Sequence, residues 1–470
     1  MLVAICSCIL LLGACAKYQY RADPPDPEQN LSRLEQRSFS QREFQEFLNY
    51  LDKSATDWPP TTWSVNDLAR AAFFFNPELQ VLAAEFAVVN ADLEIAAQRA
   101  NPVVELPFSQ QLDNLDSPWL IGLVTNFLFE RRDKRQARID SATAQRNGYL
   151  VKMERHLWET YNELHKELVT YRNAKKHSEL FARQVQLMQE TEQLLEKRYE
   201  LGQLSEFELS RHQLELKQLE LQQASQAYRL NNARHSLTRR IGLQPGKFSD
   251  EDFNIEMLGF SLPDFGENEA YARSVLSTNH YSLREALANY SALEAELRLE
   301  IQKQYPDINL VNGFVRDQSE NVWSLAASWV MPVFHNNEAQ IERALALRDR
   351  QQRKILAIQS GLLSELSRLQ LNYREAKQAY LAATDLLAEL EKRDVILGRQ
   401  FDLGYIDRLA LYNSKIELVK ARLAVLGVET DLLRSVVLLE DLLQDPVAPG
   451  IDFRRVLQYL TQIEVKKEET

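Results

Sequence analysis

The chain is poor in residues that interrupt helices and in residues that cross-link a fold. Its 470 residues include 14 glycines and 15 prolines, too few turn-forming residues for many short elements. Long helices are therefore expected. All three cysteines lie within the first fifteen residues, so the rest of the chain has no disulfide framework and no thiolate metal site.

The motifs of several enzyme classes are also missing. The sequence contains no Cys-x-x-Cys, no His-Glu-x-x-His, no glycine-rich phosphate loop and no Gly-x-Ser-x-Gly motif. Its seven histidines and five methionines are scattered along the chain. A formal charge of −12 argues against a nucleic-acid partner, which normally binds a basic surface. We therefore predict no enzyme activity, no cofactor, no metal site and no nucleic-acid partner.

The first fifteen residues have the pattern of a lipoprotein export signal. Residues 1–14 are a signal-peptide-like apolar run, too short to cross a bilayer as a permanent helix. Leu12-Gly13-Ala14-Cys15 resembles the bacterial lipobox, which implies cleavage before Cys15 and lipidation of that residue. Ala16 occupies the position after the cysteine, where an aspartate would favour retention in the inner membrane. The resemblance to lipoproteins therefore implies sorting to the outer membrane. An incidental cysteine after an ordinary signal is the alternative.

The chain contains the same unit twice. Residues 15–62, rich in Pro, Asp, Gln and Arg, are predicted to be a lipidated tether. The first repeat covers 63–250, the second covers 251–445, and 446–470 form a tail. Each repeat predicts a helix, two strands and a long helical hairpin. The matched positions are Tyr171, Ala174, Val185, Met188, Leu195 and Gly202 in one repeat and Tyr373, Ala376, Leu387, Leu390, Leu397 and Gly404 in the other.

The predicted hairpins span about 136–242 and about 338–444. No proline interrupts either stretch, so each arm can extend for about 60 residues, on the order of 90 Å. The second hairpin has a 4-3 alternation of apolar residues, which predicts a left-handed coiled coil. This seam consists of Leu362, Leu366, Leu369, Tyr373, Ala376, Tyr380, Ala383, Leu387 and Leu390. A soluble elongated bundle would have the same periodicity.

Two strands per repeat are predicted, at about 103–112 and 118–128, and at about 307–316 and 322–331. Alternating apolar residues share one face: Trp323, Leu325, Ala327 and Trp329 in one repeat and, less cleanly, Trp119, Ile121, Leu123, Thr125 and Phe127 in the other. These lengths suit tilted membrane strands. Four strands cannot close a membrane barrel, and hydrocarbon does not tolerate open edges, so several chains must share one barrel. A soluble sheet capping a helical bundle is the alternative.

Together these features resemble the TolC family of outer-membrane efflux proteins, from about Trp63 to Leu443. The resemblance is carried, in duplicated order, by Asn76-Pro77-Glu78-Leu79, by the segments 198–205 and 400–407, and by Pro332-Val333-Phe334 with 339–344. It implies a mainly α fold with membrane β: duplicated coiled-coil hairpins and four strands per chain. It further implies a homotrimer, whose 12-stranded outer-membrane β-barrel continues into a periplasmic α-helical barrel.

The resemblance also implies a function and partners. The protein would be the outer-membrane channel of a tripartite efflux system, passively conducting solutes that an inner-membrane pump exports through a periplasmic adaptor. It would be lipid-anchored in the outer membrane of a Gram-negative bacterium, with most of its mass in the periplasm. A type I protein-secretion channel and a non-channel coiled-coil envelope scaffold remain open as alternatives.

The resemblance assigns the adaptor-docking role to the two hairpin tips. The docking residues would be Leu201, Gly202, Ser205, Leu403, Gly404 and Asp407. In some family members acidic residues narrow the tip, but the matching positions here are Ala410 and Asn413. Asp402 and Asp407 are therefore the candidates for a periplasmic gate, Asp407 first, because carboxylates repeated by symmetry attract cations. Plain loop turns with a solvated acid are the simpler interpretation.

One basic segment bears on the cargo. Residues 129–139 resemble the corresponding segment of heavy-metal efflux members, which implies metal cations as cargo and a pump of the resistance-nodulation-division type. The alternative interpretation is that these residues form a solvated basic collar near the junction of barrel and helices. We favour this alternative over a direct contact with the cargo.

Overall fold

The computed structural model describes residues 20–51, 63–110, 119–244, 246–247, 269–317, 320–444 and 451–467. The predicted signal peptide and Cys15 lie outside these ranges, as do the predicted boundary between the two repeats and the predicted boundary between the second repeat and the tail.

The described chain is mainly helical with one small sheet, as predicted. Its first half contains α1 (Pro27–Glu35), α2 (Arg42–Tyr50), α3 (Val65–Phe75), α4 (Pro77–Ala97), β1 (Val103–Glu105), β2 (Phe108–Gln110), β3 (Trp119–Phe129), α5 (Arg132–Glu200) and α6 (Glu206–Ile241). Its second half contains α7 (Glu269–Thr278), α8 (Tyr281–Gln302), β4 (Ile308–Asp317), β5 (Glu320–Trp329), α9 (Glu338–Asp402), α10 (Arg408–Leu443) and α11 (Phe453–Lys467).

The two arms of each hairpin differ in length. α5 and α9 have 69 and 65 residues, whereas the return arms α6 and α10 have 36 each, so the expected length of about 60 residues applies to the first arm of each hairpin and is too long for the return arm. Both return arms stop where they reach a shorter helix. α6 ends at Gly242, which has φ 88° and whose added Cβ would lie 2.8 Å from Phe75 Cβ at the end of α3. Only glycine both adopts this positive φ without strain and has no Cβ to clash with Phe75.

The four long helices lie side by side in the order α9, α10, α5, α6. The predicted seam of α9 faces α10, because Leu366, Leu369 and Tyr373 are buried in one cluster with Leu432 and Leu439 of α10. The two hairpins meet where α10 packs on α5, with a 2.7 Å ion pair between Arg172 and Glu429. The result is an open row of helices with α9 at one edge and α6 at the other.

The N-terminal segment is more than a tether. α2 presents Phe44, Phe47 and Leu48 on one face, at the i, i+3, i+4 spacing of an amphipathic helix, and all three are buried. They join the largest core cluster, which also contains α3, the middle of α5 and α11. Phe47, for example, lies 4.7 Å from the ring of Tyr459 in α11. The two ends of the described chain are thus fastened together on the helical body.

The sheet is antiparallel throughout, with β3 paired to β4 and β4 to β5, and with β1 and β2 both paired to β3. The strand predicted at about 103–112 consists of β1 and β2, which keep one continuous register with β3. Pro107 has no N–H to donate to the ladder and divides the strand, although its carbonyl still accepts a 3.1 Å hydrogen bond from Gly122 N. β1 and β2 together therefore occupy one strand position.

His280, at the start of α8, is buried and titrates abnormally. Its Nδ1 accepts a 3.2 Å hydrogen bond from Ser282 N, and burial lowers the pKa of His280 to about 4. The unfolded chain takes up this proton near pH 6.5 and the folded chain only near pH 4. We therefore expect the free energy of unfolding to fall between these pH values, by about 3 kcal/mol at most.

Thermal unfolding at pH 8 and pH 4.5 measures this loss. His280→Asn retains a capping side chain but does not titrate in this range, so its melting temperature should depend less on pH. An equal pH dependence in both proteins would show that His280 is not responsible.

Candidate functional site

One face of the sheet is apolar and exposed. The strand register aligns the predicted faces of β3 and β5, since Leu123 pairs with Phe314 and Phe314 pairs with Trp323. The exposed large residues of this face are Val104, Phe108, Trp119, Ile121, Leu123, Phe127, Phe129, Ile308, Phe314, Trp323, Leu325 and Trp329. Its polar Asn312 accepts a 2.8 Å hydrogen bond from Trp323 Nε1. An apolar face of this extent needs a nonaqueous neighbour.

The opposite face is small and polar in the middle of β5 and mixed in β3. In β5 it includes Ser324, Ala326 and Ser328, which pair with Gly313, Val311 and Asn309 of β4, whereas in β3 it includes the apolar Leu120, Val124 and Leu128. The alternation predicted for β5 is confirmed, with large apolar residues on one side and small residues on the other. Such alternation is typical of a strand between lipid and a water-filled lumen.

The sheet has two free edges among the described strands. β5 pairs only with β4, and β1 and β2 pair only with β3, so their outer backbone groups have no partner strand in the described part of the chain. Unpaired edges bind further strands readily.

The two hairpin tips have the same geometry. Gly202 N donates to Tyr199 O at 2.9 Å and Gln203 N to Arg198 O at 2.8 Å. The same two distances recur at the second tip, where Gly404 N donates to Phe401 O and Tyr405 N to Gln400 O. These are Schellman turns, and the positive φ of both glycines, 69° and 76°, requires glycine there.

Each tip exposes large apolar side chains. Leu201 and Phe207 are strongly exposed at the first tip, and Leu403 and Tyr405 at the second. Ser205 begins α6 with a capping box, in which its hydroxyl accepts from Glu208 N and Glu208 accepts from Ser205 N. The caps hold the loop backbone, so the apolar side chains are left available for a partner.

Asp407 connects the two tips. Its carboxylate caps α10 by accepting from Ala410 N at 2.8 Å, and it forms a 2.5 Å ion pair with Arg198 of the first hairpin. These two bonds, the one from Ala410 first, lower the pKa of Asp407 below its usual value. Asp402 is exposed at the end of α9, without an ion pair or side-chain hydrogen bond among the described residues. The Arg198 contact had no sequence signal, because it joins residues 209 positions apart.

The basic segment after β3 binds the protein itself. Lys134 forms a 2.6 Å ion pair with Asp307 before β4, and the guanidinium of Arg131 lies 4.2 Å from the ring centre of Tyr305. Arg138 donates to Ala96 O at 2.9 Å and pairs with Glu130. Cations at the carbonyl end of α4 stabilise that end through the helix dipole. The segment fastens the sheet to the long helices.

In the described ranges, no three His, Cys, Asp or Glu side chains are grouped as a metal ion would require. No single described helix has both the length and the hydrophobicity to cross a membrane, but α3 and α4, bent by 53°, have them as a pair.

Comparison with known proteins gives structural matches only. No protein-family model and no curated protein matches the sequence. The outer-membrane channel OprN matches with a TM-score of 0.66 at 16% identity, over 92% of this chain and 99% of that chain. CusC, described for its transmembrane channel formation, matches with 0.65 at 14% identity, over 91% and 98%. The Campylobacter jejuni outer-membrane channel CmeC matches with 0.63 at 11% identity, over 95% and 98%.

At these identities the likeness establishes the fold. The chain has the fold of TolC-type outer-membrane channels along nearly its whole described length, which confirms the resemblance found in the sequence.

Proposed function

We propose that the chain is one protomer of a homotrimeric outer-membrane channel, through which a tripartite efflux system passes solutes out of the cell. The proposal is supported by the fold and by the similar structures OprN, CusC and CmeC, which are channel proteins. The protein conducts passively, since its sequence contains no glycine-rich phosphate loop for nucleotide hydrolysis.

The main support for the proposal comes from the sheet. It combines one exposed apolar face, an opposite face that is small and polar in the middle of β5, and two free edges among the described strands. In a bilayer such edges must be paired, and a second copy supplies the missing strands. Because β1 and β2 share one position, each chain contributes four strand positions, so three chains supply the twelve strands of a closed barrel. The face that contains Ser324, Ala326 and Ser328 then lines the lumen.

The long helices extend this lumen away from the membrane. At 1.5 Å per residue, the 69 residues of α5 span roughly 100 Å. The tips would therefore lie deep in the periplasm, where their exposed leucines and aromatic residues fit a periplasmic adaptor joined to an inner-membrane pump. Opening would require the second hairpin, around Gly404, to move away from the first, and the Arg198–Asp407 ion pair is a contact that this movement breaks.

Two finer parts of the proposal rest on the sequence alone. Lipidation of Cys15 would anchor the N-terminal segment beside the barrel. Metal cations as cargo are proposed only from the resemblance of residues 129–139, whose charged side chains contact protein groups and so have a structural role. A type I secretion channel would share the fold, and neighbouring genes for its pump would distinguish it.

Bilayer conductance and oligomeric mass test the proposed function. Purified protein should have the mass of a trimer in detergent and give discrete, single-sized conductance steps in planar bilayers. Because a resting channel can be closed, the Arg198→Gln variant, which lacks the contact between the tips, is measured in parallel. A monomer or dimer that gives no conductance in either form would refute the proposal and favour a scaffold.

A further inference from the structure

α9 packs on two different helices along its length. In the part nearer the sheet, Gln351 donates to the backbone carbonyl of Ala286 in α8 at 2.8 Å, and Arg348 pairs with Glu294 of α8 at 3.3 Å. In the part nearer the tip, Leu366 is 3% exposed within the cluster that α9 shares with α10. α9 therefore changes its partner between Gln351 and Leu366.

Neither partner buries the stretch between these two parts. From 352 to 365, a range that the structure describes completely, every side chain is exposed or half-buried. α8 begins at Tyr281, shortly before Ala286, and α10 ends at Leu443, which lies in the cluster of Leu366. Within the described chain, this stretch of α9 is therefore held straight mainly by its own backbone hydrogen bonds.

The corresponding stretch of α5 is packed on several sides. Gly202 and Gly404 are equivalent, so the range 352–365 of α9 corresponds to 150–163 of α5. This part of α5 belongs to the largest core cluster, together with α2, α3 and α11. Its side chains that are at most 2% exposed are Met153, Leu157, Trp158, Tyr161 and Asn162. At this height α5 is fixed by tertiary contacts that α9 does not have.

The residues of the unpacked stretch also weaken the helix there. Gly361 is exposed, and a Cβ added to it would have no described atom within 4 Å, so no close contact in the described chain requires glycine. Glycine stabilises a helix less than alanine does. The Ser364 hydroxyl donates to the carbonyl of Ser360 at 3.0 Å, a contact that often bends helices. Kinks in helices are frequent where glycine and serine are adjacent, as Ser360 and Gly361 are.

We infer that α9 has a hinge at Gly361, about which its tip-side part moves together with α10 while its sheet-side part stays on α8. The inference rests on the proposed channel and identifies the point in this chain where the second hairpin bends. A bend at Gly361 preserves the contacts of Gln351 and Leu366, because both residues lie outside the unpacked stretch.

A small bend at this position has a large effect at the tip. Gly361 precedes Asp402, the last residue of α9, by roughly 60 Å along the helix. A bend of about 10° therefore displaces the tip by about 10 Å. The Arg198–Asp407 ion pair, at 2.5 Å, does not survive such a displacement. The hinge thus allows the tips to separate without unpacking either half of α9.

Hydrogen exchange of the full-length protein in detergent, followed by mass spectrometry, tests the hinge directly. Amides of 354–365 in α9 should exchange at least about tenfold faster than those of 152–163 in α5, because fewer packed side chains oppose local opening. In Gly361→Ala the exchange of 354–365 should slow about threefold to fivefold after correction for intrinsic rates, because alanine has the higher helix propensity.

Gly398→Ala is the matched control. It makes the same substitution on the same helix, and its added Cβ also has no described atom within 4 Å. Gly398 lies in the tip-side part of α9, one turn from Asp394, which contacts Ser414 of α10 at 3.3 Å. This variant should leave the exchange of 354–365 unchanged.

The open probability in planar bilayers tests the role of the hinge in opening. The measurement uses Asp407→Asn protein, which lacks the ion pair between the tips. Adding Gly361→Ala should lower the open probability about tenfold or more if three chains bend together, because each loses its flexible point. Adding Gly398→Ala should not lower it.

The two measurements separate the hinge from the proposed function. Equal protection of the two segments would show that other contacts fix this stretch of α9, and the hinge would be wrong. Equal effects of Gly361→Ala and Gly398→Ala on the open probability would exclude a role in opening. Either result, in a conducting trimer, leaves the proposed function standing. A monomeric mass without conductance refutes the proposed function, and the exchange comparison still decides whether α9 bends at Gly361.

Discussion

Replacing Leu325 by arginine should abolish assembly of the protein in the outer membrane. Leu325 is exposed in the middle of β5, on the apolar face that contains Phe314 and Trp323. If this face meets lipid, an arginine near the bilayer midplane costs about 2–4 kcal/mol. Three copies in one trimer would multiply this cost, so we expect almost no trimer in the outer-membrane fraction.

Ala326→Arg is the matched control. Ala326 is the next residue of the same strand, exposed at nearly the same depth, but its side chain is on the small polar face. An arginine there would enter the lumen, where water solvates it. This variant should therefore assemble, with an altered conductance. Equal assembly of both variants would contradict a lipid-facing role for the apolar side of the sheet.

Replacing Asp407 by asparagine should open the channel tip. The ion pair with Arg198 is partly exposed and is worth about 0.5–1 kcal/mol per chain. Asparagine still caps α10, so the local fold survives. If three chains open together, the ratio of open to closed channels should rise about tenfold to hundredfold. The measurement is the open probability in planar bilayers.

Arg198→Gln separates the two roles proposed for Asp407. It breaks the same ion pair but retains the carboxylate, so both variants should open equally often. If Asp407 also lines the entrance, Asp407→Asn should reduce selectivity for cations and Arg198→Gln should not. Equal selectivity would exclude Asp407 as a ring residue and direct the same test to Asp402. Ser205→Asn, which keeps the cap at the other tip, should change neither property.

Several features of the fold follow from local sequence patterns. The seam from Leu362 to Leu390, the alternation in β5 and the glycine at each tip were predicted because periods of seven and two, and a positive φ, depend on residues close in sequence. The division of the first strand also had a sequence signal, since Pro107 lies within it. The end of the first return arm also had a sequence signal in Gly242, because glycine can end a helix.

The candidate site was predicted only in part. The sequence indicated the tips but not that Asp407 contacts Arg198, nor that the basic segment binds Tyr305, Asp307 and Ala96. Each of these contacts joins residues far apart in the chain. A charged residue is compatible with many partners, and the sequence does not say which one the fold brings within reach.

By itself, then, the sequence determined the long helices, their apolar seams, the alternating strands and the duplicated order, since each results from spacing along one segment. The tertiary structure decided the order α9, α10, α5, α6, the docking of α2 on the aromatic core and the ion pair between the tips. These features depend on which surfaces bury each other, and that choice is made by the whole chain.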